Sequence, residues 1–256
     1  MMYRSTMQDS SWIFLRGLSR EKLHWGEFPD FFEKYFNSKV HCLDFPGTGE
    51  FFKHASPSRI QEIVEHLVMH SSQITSQNWI LAHSMGGLVA LEWMKREPHR
   101  FLGAVLINSS VKGISPLFGR LTPFAIKQIL NLWIHQKNPL KTETIKYALT
   151  SNDILKKQAT IPRWMEIQFK HPVSIRTSWN QICAAAFYVA SKPRYPTLLL
   201  NSTADRMVSP ISSEAISRKW NLPLYSHSWA GHDLVHDDPV WVVHQIDEWK
   251  KSIEKK

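Results

Sequence analysis

The sequence has little cysteine and no long hydrophobic run. Its two cysteines, Cys42 and Cys183, are too few for a disulfide scaffold and are more typical of buried thiols. The longest apolar run, Ile182–Ala190, has nine residues, whereas a bilayer-spanning helix needs roughly 18. The apolar run near the N-terminus, Trp12–Leu15, is too short for the core of a secretory signal. We therefore expect a cytoplasmic protein with no membrane span.

Acidic residues are scarce between Gly113 and Asn180. This segment has ten Lys or Arg against three Asp or Glu, a difference of seven, so it carries most of the formal net charge of +9. The positive electrostatic potential of such a segment would attract an acidic partner, although a solvated helical face explains the excess of Lys and Arg equally well. No motif known to read nucleic acid accompanies the charge, so we expect no nucleic-acid partner.

Short apolar runs alternate with segments of helical periodicity. The runs are continuous, as in strands whose two faces are both covered by helices. The predicted strands are Trp12–Leu15, Val40–Leu43, Trp79–Ala82, Leu102–Ile107, Thr197–Leu200 and Leu222–Trp229. The predicted helices are Pro57–Ser72, Met85–Arg96 and Pro239–Ile253. This alternation predicts an α/β fold with a mostly parallel sheet and helices on both faces.

Residues 113–190 break the alternation. They contain no convincing strand, and their many large apolar side chains are typical of several short helices separated by prolines. Those prolines are Pro116, Pro123, Pro139, Pro162 and Pro172. We predict a helical lid inserted at 113–190 over the edge of the sheet, with residues 1–112 and 191–256 forming the core.

Ser84 lies at the junction of a predicted strand and a predicted helix, in LAHSMGGLVALEW (81–93). A sharp strand-to-helix turn exposes its corner residue at the carboxyl edge of a sheet, and it requires small neighbours such as Ala82 and Gly86. The first amides of the helix point at the same place, so the Met85 N–H is a natural donor to an oxyanion. This pattern favours a serine nucleophile.

A serine nucleophile needs a base and a group that orients the base. Asp205 follows the strand Thr197–Leu200, and His232 lies in a glycine-containing loop after the last predicted strand. Both strands end at the same edge of the sheet as Ser84. The chain order is therefore nucleophile, acid and base, although Asp205 is also a common turn residue and His236 is a rival base.

Five motifs together resemble the α/β-hydrolase family: FLRGL, LDFPGTG, LAHSMGG, TADRMV and AGHDLVHDDP. The resemblance covers nearly the whole chain and is nearest to small lidded esterases, such as the esterase of biotin synthesis that acts on a pimeloyl methyl ester on acyl carrier protein. It implies Ser84 as nucleophile, Asp205 as acid and His232 as base. It also implies oxyanion donors at Leu18 and Met85, and no cofactor.

The chain departs from the family pattern at two positions. Ala82 replaces the usual first glycine of the elbow, which is a modest crowding, and Arg16 replaces the usual histidine before Gly17. Arg16 keeps open the alternative of a catalytically silent binding protein. A thioesterase, a lyase or a C–C hydrolase with the same triad is a second alternative.

Several further residues are candidates for binding substrate or partner. Trp25 and Trp133 are candidates to line an acyl pocket, and a basic lid would suit an acidic acyl carrier protein. The basic candidates are Lys156, Lys157, Arg163 and Lys170. Two histidine pairs, His66/His70 and His232/His236, have helical ligand spacing but lack a third ligand, so we expect no metal site.

Overall fold

A parallel sheet of six strands organises the part of the chain that the structure describes. The computed structural model describes residues 10–74 and 77–255. The strand order is β2-β1-β3-β4-β5-β6, and every neighbouring pair is parallel. The strands are β1 (Ser11–Leu15), β2 (Val40–Leu43), β3 (Asn78–His83), β4 (Phe101–Ile107), β5 (Thr197–Ser202) and β6 (Leu224–His227). All six predicted strands are therefore present, and the predicted α/β fold is confirmed.

Eleven α-helices lie between and after the strands within the described residues. Those outside the segment 113–190 are α1 (Phe28–Phe36), α2 (Ile60–His70), α3 (Met85–Arg96), α9 (Ile211–Trp220), α10 (Leu234–Asp237) and α11 (Pro239–Glu254). Those within it are α4 (Leu117–Arg120), α5 (Pro123–Ile134), α6 (Pro139–Thr150), α7 (Lys157–Lys170) and α8 (Ile175–Phe187). None of the helices described has both the length and the hydropathy needed to cross a membrane.

The core has two layers, one on each face of the sheet. Successive residues of a strand point to opposite faces, so Trp12 and Phe14 of β1 join the layer that includes Trp249 of α11. Ile13 and Leu15 of β1 join the layer that includes α2 and α3. All four β1 side chains are fully buried. Burial on both faces explains why Trp12–Leu15 is apolar without interruption.

Residues 113–190, which we call the insertion, contain five helices and no strand. Pro123 and Pro139 begin helices, where a missing N–H costs nothing. Pro162 was expected to separate two helices, and this expectation is wrong, because it lies inside α7. Burial of Ile161 and Trp164 on either side of it holds the helix together despite the lost hydrogen bond.

Candidate active site

Ser84 lies at a strained corner between β3 and α3. Its backbone has φ 57° and ψ −122°, a region that side-chain-bearing residues rarely adopt, at a cost of about 1–3 kcal/mol. The corner is held by two hydrogen bonds: Ser84 N–H donates to the Ile107 carbonyl (2.8 Å), and Ser109 Oγ donates to the Ser84 carbonyl (2.9 Å). A Cβ on Gly86 would lie 2.6 Å from the Leu15 carbonyl oxygen, so only glycine allows this approach.

The loop after β1 passes directly against Ser84. A Cβ on Gly17 would lie 2.9 Å from the Ser84 Cβ, and Leu18 lines the same cavity as Ser84. Met85 is the first residue of α3, so its N–H has no acceptor one turn earlier in the helix. These are the positions predicted for the two oxyanion donors.

His232 and Asp205 are joined by a short hydrogen bond. His232 Nδ1 lies 2.7 Å from Asp205 Oδ2, and both side chains are buried. The other oxygen, Asp205 Oδ1, accepts from the N–H groups of Met207 (2.7 Å) and Val208 (3.0 Å). Since a carboxylate accepts, Nδ1 carries the proton and Nε2 of a neutral imidazole has a free lone pair.

Nε2 of His232 is buried and has no hydrogen-bond partner within the described parts of the chain. It therefore makes no hydrogen bond to Ser84 here, although Ser84 and His232 line one cavity. The structure thus pairs two of the three predicted catalytic side chains and places the third in the wall of the same cavity.

Two side chains fix the backbone of His232 from the neighbouring strand ends. Its carbonyl accepts from Asn108 Nδ2 (2.7 Å) and from His83 Nε2 (2.8 Å). Burial, with the nearby His232 and Arg16, lowers the pKa of His83 to about 3, so His83 is a neutral donor near neutral pH. The sequence analysis did not identify Asn108 and His83 as site residues, although each directly follows a predicted strand.

Arg16 forms a buried, bidentate ion pair with Asp233. Its Nη2 and Nη1 donate to the two carboxylate oxygens at 2.6 and 3.1 Å, and its guanidinium lies 4.5 Å from the centre of the Trp25 ring. Burial alone would raise the pKa of Asp233, but the charge and hydrogen bonds of Arg16 hold it well below its ordinary value. Arg16 therefore has a structural partner beside the base, which the sequence did not reveal.

A cavity of about 440 Å³ lies over Ser84 and His232. The core contributes the catalytic candidates and the loop after β1, whereas the insertion contributes most of the apolar wall. Its apolar side chains there include Ile129, Leu132, Trp133, Phe169 and Ile175. Such a cavity suits an ester with a hydrocarbon or aromatic group.

A second charged cluster lies in the wall of this cavity. Glu143 is fully buried and accepts from Lys146 Nζ (2.5 Å) and from Arg20 Nη1 (3.4 Å). The Arg20 guanidinium also lies 4.0 Å from the Trp164 ring centre. Burial lowers the pKa of Lys146 and of Arg20, while Glu143 opposes this shift.

Of the two tryptophans expected near the acyl group, Trp133 lines the cavity, and Trp25 does not. Trp25 is buried against Phe14 and Phe28 beneath Arg16, so the expectation for it is wrong. Its large ring fills the core behind the site instead.

The four basic candidates lie on or just before α7, outside the cavity wall. Lys157, Arg163 and Lys170 are exposed. Lys156 Nζ donates to the carbonyls of His236 (2.7 Å) and Asp237 (3.0 Å) and pairs with Asp153 (3.3 Å), so its ammonium is already engaged although 41% of the side chain is exposed.

The histidine pair on α2 makes contacts within its own helix. The rings of His66 and His70 stack at 4.0 Å, and His70 Nδ1 bonds to the His66 carbonyl. Among the residues of known position, no group of three or more His, Cys, Asp or Glu side chains could hold a metal ion.

Solved structures with the same fold include hydrolases of different specificity. One is 2-hydroxy-6-oxo-6-phenylhexa-2,4-dienoate hydrolase from Rhodococcus sp. strain RHA1, with 17% identity, a TM-score of 0.73, and coverage of 95% of this chain and 91% of that one. A thermophilic esterase from Thermogutta terrifontis has 18% identity, a TM-score of 0.68, and coverage of 96% and 92%. A serine hydrolase from Cycloclasticus zankles has 16% identity, a TM-score of 0.67, and coverage of 97% and 92%. At these identities the likeness shows the fold alone.

A search of the curated proteins found no match. A family model described as "Alpha/beta hydrolase family" matches residues 12–245. That range runs from the second residue of β1 into α11 and includes Ser84, Asp205 and His232. The chain therefore belongs to the alpha/beta hydrolase family.

Proposed function

We propose that this protein is a serine hydrolase that cleaves carboxylic esters through Ser84, His232 and Asp205. The observation that carries the proposal is the buried 2.7 Å bond between Asp205 and His232, with Nε2 unpartnered in a cavity shared with Ser84. His66 and His83 also each have a buried ring nitrogen without a partner, so His232 is distinguished by the combination of its bond to Asp205 and its place with Ser84 in one cavity. A free Nε2 beside a strained serine is what a general base requires.

In this mechanism the substrate enters the cavity with its carbonyl against the corner at Ser84. His232 Nε2 takes the hydroxyl proton as Ser84 Oγ attacks the carbonyl carbon. This proton transfer requires Nε2 and Oγ to come within about 3.2 Å of each other. The oxyanion accepts from the amides of Met85 and Leu18. Asp205 keeps the proton on Nδ1 and stabilises the imidazolium.

The imidazolium then protonates the departing alkoxide, and the acyl group stays on Ser84. A water molecule gives its proton to Nε2 and attacks the acyl-enzyme. The acid leaves, and the proton returns to Ser84 Oγ. No step needs a cofactor.

The test is a set of p-nitrophenyl esters from short to long acyl chains, assayed with wild type and with Ser84→Ala, His232→Ala and Asp205→Asn. We expect hydrolysis by wild type, and losses of at least about a thousandfold in kcat for the first two variants. Activity that survives Ser84→Ala would refute the proposal. Preserved far-ultraviolet circular dichroism controls for folding.

Two alternatives use the same site. A thioesterase or a C–C hydrolase would need the same triad, and adding a thioester and a vinylogous diketone to the substrate set separates them from an esterase. The solved hydrolase of 2-hydroxy-6-oxo-6-phenylhexa-2,4-dienoate, which shares the fold, favours inclusion of the diketone. A silent binding protein would turn over none of them.

A narrower form of the proposal is hydrolysis of a pimeloyl methyl ester carried on acyl carrier protein. It rests on the sequence resemblance and on the three exposed cations of α7. Reversal of Lys157, Arg163 and Lys170 to glutamate should weaken turnover of the carrier-bound ester and leave p-nitrophenyl esters unaffected. Unchanged turnover of the carrier-bound ester would refute recognition of the carrier protein by these cations, and it would not affect the proposal of ester hydrolysis.

A further inference from the structure

The helix α5 is apolar, yet six of its twelve residues are exposed. Of its twelve residues, only Ala125 is buried. Three large apolar side chains at helical spacing are exposed: Ile126 by 42%, Leu130 by 50% and Ile134 by 75%. At about 100° per residue these three lie on one face. A helix with such a face normally packs it against something.

A second face of α5 lines the active-site cavity through Ile129, Leu132 and Trp133. On a helical wheel this face adjoins the exposed face, because Trp133 is only about 20° from Ile126. The apolar surface therefore continues around the helix from the cavity wall to the outside. An apolar molecule held against the outer face would lie one helix away from Ser84.

The chain on both sides of α5 shares this exposure. The large apolar side chains exposed between residues 117 and 140 are Leu117, Phe118, Phe124, Ile126, Leu130, Ile134 and Leu140. Monomeric proteins rarely leave so many large apolar side chains together in water. We call residues 117–141 the docking segment.

The docking segment contains four cations and no acidic residue. Lys127, Lys137 and Lys141 are exposed. Arg120 is held by the carbonyls of Ala185 (2.6 Å) and Ala186 (3.0 Å). Exposed lysines among protruding apolar side chains, without acids, are the pattern of segments that lie in the surface of anionic membranes.

The charges of the docking segment also indicate which kind of partner binds it. A second copy of this chain would bring the same lysines to the contact, with no acid in the segment to oppose them. A folded acidic protein would need a surface shaped to seven protruding side chains, whereas lipid takes them up without a fitted shape.

We infer that the docking segment binds the surface of an anionic lipid bilayer, with Ile126, Leu130 and Ile134 in the acyl region and the lysines at the headgroups. The binding is independent of Ser84. Only its consequence, entry of lipid-derived esters into the cavity beside α5, rests on the proposed esterase activity.

The experiment is co-sedimentation of the full chain with vesicles of phosphatidylcholine alone or mixed with phosphatidylglycerol. We expect at least about tenfold tighter binding to the anionic vesicles, weakened by salt. Ile126→Gln/Leu130→Gln/Ile134→Gln and Lys127→Glu/Lys137→Glu/Lys141→Glu should each lower that affinity by about tenfold or more. These side chains are exposed, so thermal unfolding should change little.

A matched control replaces three equally exposed apolar side chains elsewhere. Met69, Ile211 and Val240 are 67%, 52% and 63% exposed on helices outside the insertion. Changing all three to glutamine should leave vesicle binding unchanged. Equal binding to both vesicle types, no binding, or equal loss in the control would overturn the inference.

Two further measurements separate the remaining outcomes. Sedimentation velocity of wild type and the α5 glutamine variant tests the second copy, and a dimer lost in that variant would overturn the inference. Hydrolysis of a water-soluble ester should be unchanged in the α5 variant. A wild type that binds vesicles but lacks esterase activity would refute the proposed function and leave the docking intact.

Discussion

Removal of the carboxylate of Asp233 should destabilise the protein more than most single changes. Arg16 is 2% exposed and Asp233 is 1% exposed, so Asp233→Ala leaves a buried guanidinium without its partner. Breaking a buried pair in this way costs about 3–5 kcal/mol. For a chain of this size the midpoint of thermal unfolding should fall by about 6–20 °C.

The assay is urea unfolding of four proteins: wild type, Asp233→Ala, Arg16→Met and the double variant Arg16→Met/Asp233→Ala. The double variant removes both charges together, so its free energy of unfolding should return to within about 2 kcal/mol of wild type. A loss below about 1 kcal/mol for Asp233→Ala would refute this reasoning. So would a double variant whose loss equals the sum of the single losses.

The pair also has a defined pH dependence. The pKa of Asp233 is lower in the folded protein than its ordinary value of 3.8. The contribution of the pair is therefore fully present above that value, and it is lost as pH falls through the lower folded pKa. Between neutral pH and about pH 5, the stability difference between wild type and Asp233→Ala should stay constant.

Three other substitutions test separate parts of the site. Gly86→Ala places a Cβ 2.6 Å from backbone oxygens, so it should cost about 1–3 kcal/mol in urea unfolding and abolish ester hydrolysis. His83 has an ordinary pKa of 6.5 in the unfolded chain and a pKa of about 3 in the folded protein. The free energy of unfolding should therefore decrease as the pH is lowered from 6.5 towards 3, and the decrease should be smaller in His83→Asn. Glu143→Gln leaves the buried Arg20 and the adjacent Lys146 without a counter-charge. The free energy of unfolding should fall by about 2 kcal/mol or more. An unchanged free energy of unfolding would contradict the role given to Glu143.

The four central strands, β1, β3, β4 and β5, were predictable because they are buried on both faces. The bounds of β2 and α3 match the predicted ranges. Three helices outside the insertion were not predicted: α1 has a regular helical pattern of apolar residues that was overlooked, α9 has a broken one, and α10 has only four residues. Only Phe28 and Phe32 are buried in α1, and α9 buries two serines. Tertiary packing, which a local pattern does not contain, decides such segments.

The site was predictable as far as strand ends determine it. Ser84, Asp205 and His232 each follow a strand at one edge of a parallel sheet, so their proximity follows from topology. The Arg16–Asp233 pair joins residues 217 positions apart, and no spacing rule predicts it. Trp25 shows the converse, since an aromatic near the site in sequence became core instead of cavity wall.

The most direct test of Ser84 as the nucleophile is labelling with a fluorophosphonate, followed by peptide mapping of the adduct. We predict one covalent phosphonate on Ser84, which wild type forms rapidly, His232→Ala forms at least about a hundredfold more slowly, and Ser84→Ala does not form. Wild type that stays unlabelled while folded, or an adduct on another residue, would contradict this prediction.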